Sequence, residues 1–341
     1  MTENTASKFY EPGLMDLSRY RLVRADLDSD WDTFVARSEQ GTLFSQSVFL
    51  SNLKAPLGTW YCLRGEAPAA AIAVVETEDG KSAIAYPNVI HNGVMFAPAE
   101  NGQNPAQVLS EQFRILAFIA ESLPDVYQTI TMTFQPSLTD LRPFLWHNYH
   151  EEGPTYAVDL RYTNILDLAD YRPAAKHDDM PGYKAANKSR RQELRYALKK
   201  GYTTTEQYDP DLFLRFYKET YNRQGIDADA AGMDELPAIL DALHADGCLR
   251  MFVSKTADGI PAATAIFGRD SHRWYYLYGA RNHDVQENHA ATLVLWDGFT
   301  ALADDDLPEV DLEGVNSPRR GYFKLSFGGR LTPYYRVRYP A

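Results

Sequence analysis

The stretch Val310–Arg330 reads VDLEGVNSPRRGYFKLSFGGR. Its first residues spell a short strand, a polar loop with Gly314 and Pro318 follows, and Tyr322–Phe327 alternates as a second strand that stops at Gly328–Gly329. In that strand Phe323, Leu325 and Phe327 share the core face, while Tyr322, Lys324 and Ser326 point the other way. Lys324 is then a fixed cation on a stiff element. One lysine on the polar face of a half-buried strand is usually just solvated, so its meaning depends on the words around it.

Those words, D-L-E-G at 311–314 and F-K-L-S-F-G-G at 323–329, resemble the signature of the Fem-type peptidyl transferases and of related acetyltransferase-like proteins. The resemblance extends more loosely from Phe44 to Tyr335. It implies an α/β (α+β) fold of two tandem GNAT-like domains, each a mixed, mostly antiparallel sheet flanked by helices. It also implies a transferase that joins an acyl or aminoacyl group to a primary amine, with Lys324 and Phe323 at the reacting carbonyl. Aminoacyl-tRNA is the donor the resemblance favours, and a cell-wall precursor the acceptor.

A chain of 341 residues exceeds one ordinary core and predicts two domains. Apolar content of 45% and charged content of 23% are globular values. The net charge of −12 argues against a general nucleic-acid coat and against DNA as partner, although a local basic patch could hold an acceptor stem. The two cysteines, Cys62 and Cys248, fall in different halves and supply neither a disulfide framework nor a zinc motif. The first ten residues, MTENTASKFY, lack the apolar core of a secretion signal. The longest apolar run, Ala69–Val75, is too short and alanine-rich to span a bilayer. The expectation is a cytoplasmic protein with no integral membrane contact.

Along the chain, residues 31–38 read as a short helix. Strands follow at 60–63, 69–76 and 82–86, with a D-G turn at Asp79–Gly80, then a helix over about 105–121 and strands at 127–134 and 155–160. The second half repeats this order with strands at 249–254, 262–267 and 273–278, a helix over about 289–303 and a strand at 309–312. The repeat predicts a duplicated unit. Boundaries follow: 1–165 as the N-terminal domain, 166–181 as linker, 182–330 as the C-terminal catalytic domain, and 331–341 as a strand returning to the first domain, as in the family. Two helices lie between linker and second sheet. One is basic and ends at Gly201; the other starts at Asp209–Pro210 and stops at Gly225.

Several side chains are candidates for chemistry. On the second of these helices Arg223 follows Phe216 by seven residues, on the buried stripe. It is either a capping cation at the helix end or, as the resemblance implies, the arginine that grips the acceptor's anionic group. In R-W-Y-Y-L-Y-G, Trp274, Tyr276 and Tyr278 share one face and Tyr275 and Leu277 the other. Aromatic strands are usually core, but Tyr275 and Tyr278 are the candidates to donate into a cleft. The segment Q-S-V-F-L-S-N-L-K resembles the family's Q-S-x-x-W-x-x-x-K word, with Phe49 and Leu50 where tryptophan is expected. Lys54 is either an acceptor-phosphate contact or a solvated lysine.

The basic helix carries Lys184, Lys188, Arg190, Arg191, Arg195, Lys199 and Lys200. It reads as a solvated face or as a landing strip for phosphates. No glycine lies between Gly279 and Gly298, so the phosphate loop of a CoA-dependent GNAT is absent. His283 and His289 read as structural or as bases. His147 and His150 lack the companions of a metal site.

If an amine attacks an ester or thioester, charge grows on the carbonyl oxygen. A preorganised cation there contributes a few kcal/mol, and Lys324 is its source. Asp311 and Glu313 are candidate bases. No tightly bound cofactor is expected, the acyl donor being a co-substrate: aminoacyl-tRNA or, alternatively, acyl-CoA or an acyl carrier. A non-catalytic ligand-binding protein on the same scaffold is the third reading.

Overall fold

The computed structural model describes residues 16–224, 232–286 and 289–341. The described residues divide into two compact units, one of residues 16–160 with 334–341 and one of those between 161 and 333.

In the first unit the strands are β1 (Tyr20–Arg24), β2 (Leu57–Arg64), β3 (Ala67–Glu76), β4 (Ser82–Ile84), β5 (Gly93–Phe96) and β6 (Thr129–Thr133). They are ordered β1-β2-β3-β4-β6, with β5 also on β3. β6 pairs antiparallel with the end of the last strand, β13 (Arg330–Tyr339), through Arg336↔Thr133 to Tyr339↔Ile130. The helices are α1 (Ser29–Arg37), α2 (Ser47–Leu50), α3 (Pro105–Val126) and α4 (Arg142–Leu145).

The alanine-rich run of β3 is apolar throughout because both its faces are covered. Ala70, Ile72 and Val74 join Ile119, Leu123, Met132 and Phe144 in one cluster. Ala71 and Ala73 face Trp31, Val35 and Leu50 in another. α3 starts at a capping box, Asn104 with Gln107, worth about 1 kcal/mol, and runs five residues beyond its expected end. β5 forms where a loop was expected.

The second unit contains β7 (Ala157–Asp167, from residue 161 on), β8 (Thr203–Glu206), β9 (Leu249–Lys255), β10 (Pro261–Arg269), β11 (Trp274–Arg281) and β12 (Glu309–Asp311). Their order is β7-β12-β11-β10-β9-β8. Its helices are α5 (Pro181–Ala185), α6 (Lys188–Lys199), α7 (Pro210–Gln224), α8 (Leu236–Ala245), α9 (Ala290–Leu302) and α10 (Pro318–Leu325). α9 packs against β9 and β10, and α7 and α8 against β11 and β9. α7 is capped by Asp209, whose carboxylate accepts from the Leu212 amide at 3.0 Å. Its expected stop at Gly225 lies outside the described residues.

Three expectations are corrected. Residues 166–181 do not behave as a linker: Leu168, Tyr171 and Met180 are buried in the core of the second unit, and short 3-10 turns carry the segment. α8 and β8 accompany the expected helices. Most consequentially, 322–327 is not a strand. Pro318 at the first helical position pre-sets its φ, so the segment winds into α10. Helical spacing brings Phe323 and Phe327 together, with ring centroids 5.3 Å apart. Leu325, expected in the core, is 40% exposed.

Candidate active site

β11 and β12 run parallel for only two pairs, Trp274↔Val310 and Tyr275↔Asp311. Beyond them the chain after β12 follows β7, with the Leu312 amide donating to the Asn164 carbonyl at 2.8 Å and the Val315 amide to that of Tyr162 at 3.1 Å. β11 continues along β10 as far as Arg281. The two strands therefore splay, and the released edge of β11 has lost its neighbour on that side. A cavity of about 310 Å³ lies here, lined among others by Tyr276, Gly279, His283, Val294 and Phe323.

β11 also carries a bulge. Ile266 opposes Tyr278 and Phe267 opposes Tyr276, so Leu277 is an extra residue. Bulges re-aim side chains. Tyr276 consequently packs toward the α9 core, whereas Tyr278 turns to α7, its ring 5.8 Å from Phe213 and 6.0 Å from Tyr217. The shared face expected for Trp274, Tyr276 and Tyr278 is corrected accordingly. The Tyr276 hydroxyl lies over Gly279, where an added Cβ would meet it at 1.8 Å.

α10 is held at both ends. Gly321 lets its first turn press on the Val315 carbonyl, 2.5 Å from where a Cβ would stand. At its other end the Asn164 amide donates to the carbonyls of Lys324 (3.1 Å) and Gly328 (2.8 Å), and the Tyr171 hydroxyl to that of Phe327 (3.0 Å). Phe323 thereby lines the cavity, and the Lys324 ammonium lies 5.4 Å from the centre of the Tyr276 ring.

Two carboxylates share this neighbourhood. Asp311 is buried, accepts from the Thr163 hydroxyl, and takes the Glu313 amide at 2.7 Å. Glu313 is buried too, with a left-handed φ of 56° that costs about 1–2 kcal/mol for a residue with a Cβ. Among the described residues, Asp311 Oδ2 and Glu313 Oε1 have no hydrogen-bond partner. Burial pushes the Glu313 carboxyl well above its ordinary value; Lys324 opposes the rise and Asp311 adds to it. Burial also raises Asp311, against its hydrogen bonds from Thr163 and Glu313. Lys324 is pushed down by burial, while Glu313 and then Asp311 hold it up. Burial thus works against the charged form of all three groups, while their mutual charges couple them.

The other candidates fare differently. Tyr275 is buried and donates to Asp270 at 2.6 Å, so it faces no cleft. Arg223 is exposed at the end of α7 instead of lying on its buried stripe. It acts on His283, whose pKa is lowered by burial first and by Arg281 and Arg223 next; His283 Nε2 sits 3.1 Å from the Thr220 hydroxyl. Lys54 belongs to the first unit and is exposed just past α2. Tyr276, Thr163 and Asn164 were missed. Only the Thr-Asn pair inside an apolar strand hinted at buried polar work.

No three His, Cys, Asp or Glu side chains group as a metal site among the described residues, and none of their helices is long and apolar enough to cross a membrane.

An Acetyltransferase (GNAT) domain matches residues 188–324, from the start of α6 to Lys324. Among solved structures FemX superposes with a TM-score of 0.60 at 13% identity, over 92% of this chain and 96% of that one. A tandem GNAT protein from the clavulanic acid biosynthesis pathway superposes at 0.52 and 11%, over 94% and 99%. The chain has the tandem GNAT fold. A conserved protein of unknown function from Bacteroides thetaiotaomicron VPI-5482 shares this GNAT-type fold, at 0.58 and 10% identity over 94% and 99%. No sequence match is found among curated proteins. At these identities the likeness is one of fold, and chemistry has to be argued from the site.

Proposed function

We propose that the protein is an amide-forming acyltransferase whose cavity between β11, α9 and α10 receives an activated acyl group for attack by a primary amine. The observation that carries this reading is the Lys324 ammonium, 5.4 Å from Tyr276, beside two buried carboxylates at the splay of β11 and β12. The amine nitrogen bonds to the carbonyl carbon, the ester C–O or thioester C–S bond breaks, and the amine's proton passes through Glu313 to the leaving group. Lys324 offsets the charge growing on the carbonyl oxygen. Glu313 suits the proton because burial raises its proton affinity above that of a solvated carboxylate. Phe323 supplies apolar wall, Asp311 holds Glu313 through its amide, and Tyr278 and Arg223 contact the substrates.

Aminoacyl-tRNA is the favoured donor and a cell-wall precursor the favoured acceptor, supported by the Fem-like motif around Lys324 and by the lack of glycine between Gly279 and Gly298. A second reading, acyl-CoA as donor, draws on the GNAT domain match and on the clavulanic acid pathway protein, described as solved without AcCoA. Purified protein incubated with labelled aminoacyl-tRNAs, acyl-CoAs and cell extract tests both readings. Labelled amide from one donor class, lost in Lys324→Ala, is the expected result. Unchanged amide in Lys324→Ala rejects the site.

A further inference from the structure

An attacking amine arrives with a proton too many. A primary alkyl amine is an ammonium at neutral pH, with on the order of one molecule in a thousand free, and an ammonium has no lone pair. Two protons therefore leave the nitrogen during transfer, one before attack and one after. Glu313 accounts for the second alone, so the cavity needs another acceptor, uncharged and within its walls.

His283 is half-buried and lines that cavity together with Tyr276, Gly279 and Phe323. Its tautomer follows from its neighbour. The Thr220 hydroxyl on α7 donates to the Phe216 carbonyl one helical turn back, at 2.9 Å, so its single proton is committed. His283 Nε2, 3.1 Å from that oxygen, is then the donor. In a neutral imidazole the other nitrogen is the acceptor. The lone pair therefore sits on Nδ1, which has no hydrogen-bond partner among the described residues. The chain beside it is pinned to β10: the Asn282 amide donates to the Ala262 carbonyl at 2.9 Å and its side chain to the Pro261 carbonyl at 3.0 Å. Charge around the ring keeps Nδ1 bare. Burial acts first against a proton there, and Arg281 on β11 and Arg223 on α7 act next, more strongly than Glu219 on α7 and Asp284 beside it act in favour. The same two guanidinium groups favour loss of a proton from an approaching ammonium.

We propose that His283 is a catalytic base that prepares the acceptor, its Nδ1 taking the first proton from the incoming ammonium to give a free amine and an imidazolium. The amine nitrogen then bonds to the carbonyl carbon, the ester C–O or thioester C–S bond breaks, and the second proton leaves through Glu313 to the leaving group. The imidazolium returns its proton to water. This assignment rests on the acyltransfer reading and narrows its acceptor to one class, amines basic enough to arrive charged.

The test compares two nucleophiles on the full chain, with labelled acyl-CoAs and aminoacyl-tRNAs as donors: the amines of a cell extract, and hydroxylamine, which is largely uncharged at neutral pH. At neutral pH His283→Gln should lose about a hundredfold in initial rate with the extract amines. Its loss with hydroxylamine should be smaller by roughly tenfold or more, and the deficit with extract amines should shrink as pH rises toward about 9, where solvent takes the proton instead. A second measurement needs neither turnover nor a variant. Nitrogen NMR shifts of the wild-type imidazole should show His283 as the Nε2–H tautomer at neutral pH, and the Nδ1–H form there overturns the base. Thr220→Val, which removes the oxygen that receives Nε2–H, should mix the tautomers and lower the rate with extract amines. Equal losses with both nucleophiles, or wild-type rates in His283→Gln, overturn the base and leave the acyltransfer reading intact. No product from wild type with either nucleophile and any donor overturns acyltransfer, and the base with it.

Discussion

Glu313 and Lys324 are displaced from their ordinary proton affinities in opposite directions, and each displacement has a measurable sign. Glu313 is raised above its ordinary 4.5, so the folded chain holds a proton that the unfolded chain releases. Its contribution to stability therefore falls as pH climbs above 4.5. Urea midpoints of wild type and Glu313→Gln should diverge in the variant's favour as pH rises from 4 toward neutrality; parallel curves would show an ordinary carboxylate. The rate should climb with pH as Glu313 deprotonates, and Glu313→Gln should flatten that limb while lowering kcat. A second residue-scale prediction concerns Gly279. Its backbone has no unusual φ, but a methyl there meets the Tyr276 hydroxyl. Gly279→Ala should cut transfer roughly tenfold or more with a Tm change of only a few degrees, read from kcat/KM beside a thermal melt. Lys324, Phe323, Asp311 and Glu313 were legible as a word in the sequence. Tyr276 was not, because the bulge at Leu277 that separates it from Tyr278 has no signature in a run of aromatic residues.

At the scale of elements, α10 shows how a short segment deceives. The residues YFKLSF alternate well enough for a strand and repeat well enough for a helix, a known ambiguity of short apolar runs. Pro318 behind Ser317 was the deciding mark. The helix matters because it carries the cavity wall and the ammonium together. Phe327 is buried against Phe299, ring centroids 5.6 Å apart, and anchors the end of α10. Phe327→Ala should destabilise the second unit by about 3–5 kcal/mol and lower activity further than stability alone explains, seen as a drop in kcat at temperatures where circular dichroism still reports folded protein. The longer elements were read correctly because their length averages out local ambiguity: the ten apolar-rich residues of β3, the D-G turn after it, and the capped α3.

On the scale of the whole molecule, the twofold recurrence of strands, helix and strand was visible from spacing alone, since turn residues and hydrophobic periods punctuate both halves alike. The stretch at 166–181 was misjudged because its Pro, Lys and Asp residues mask Leu168, Tyr171 and Met180, which the core claims. The end of β13 has a testable role. Val337 is fully buried in the first unit's core, Arg338 pairs with Asp159 at 2.9 Å, and the Ala341 amide donates to the Thr155 carbonyl at 2.9 Å. A chain ending at Pro333 strips β6 of this partner and opens a core side. It should be aggregation-prone and cut rapidly by protease within residues 16–160, while residues 161–333 resist.

The same return of the final residues to the beginning has a consequence for biosynthesis. A chain emerging amino end first generally folds its leading domain first. Here the leading unit lacks its closing strand until residues 334–341 have been synthesised. The trailing unit, residues 161–333, is complete earlier, so the nascent chain should mature in reverse order, nearly half of it waiting on a strand made after the whole second unit.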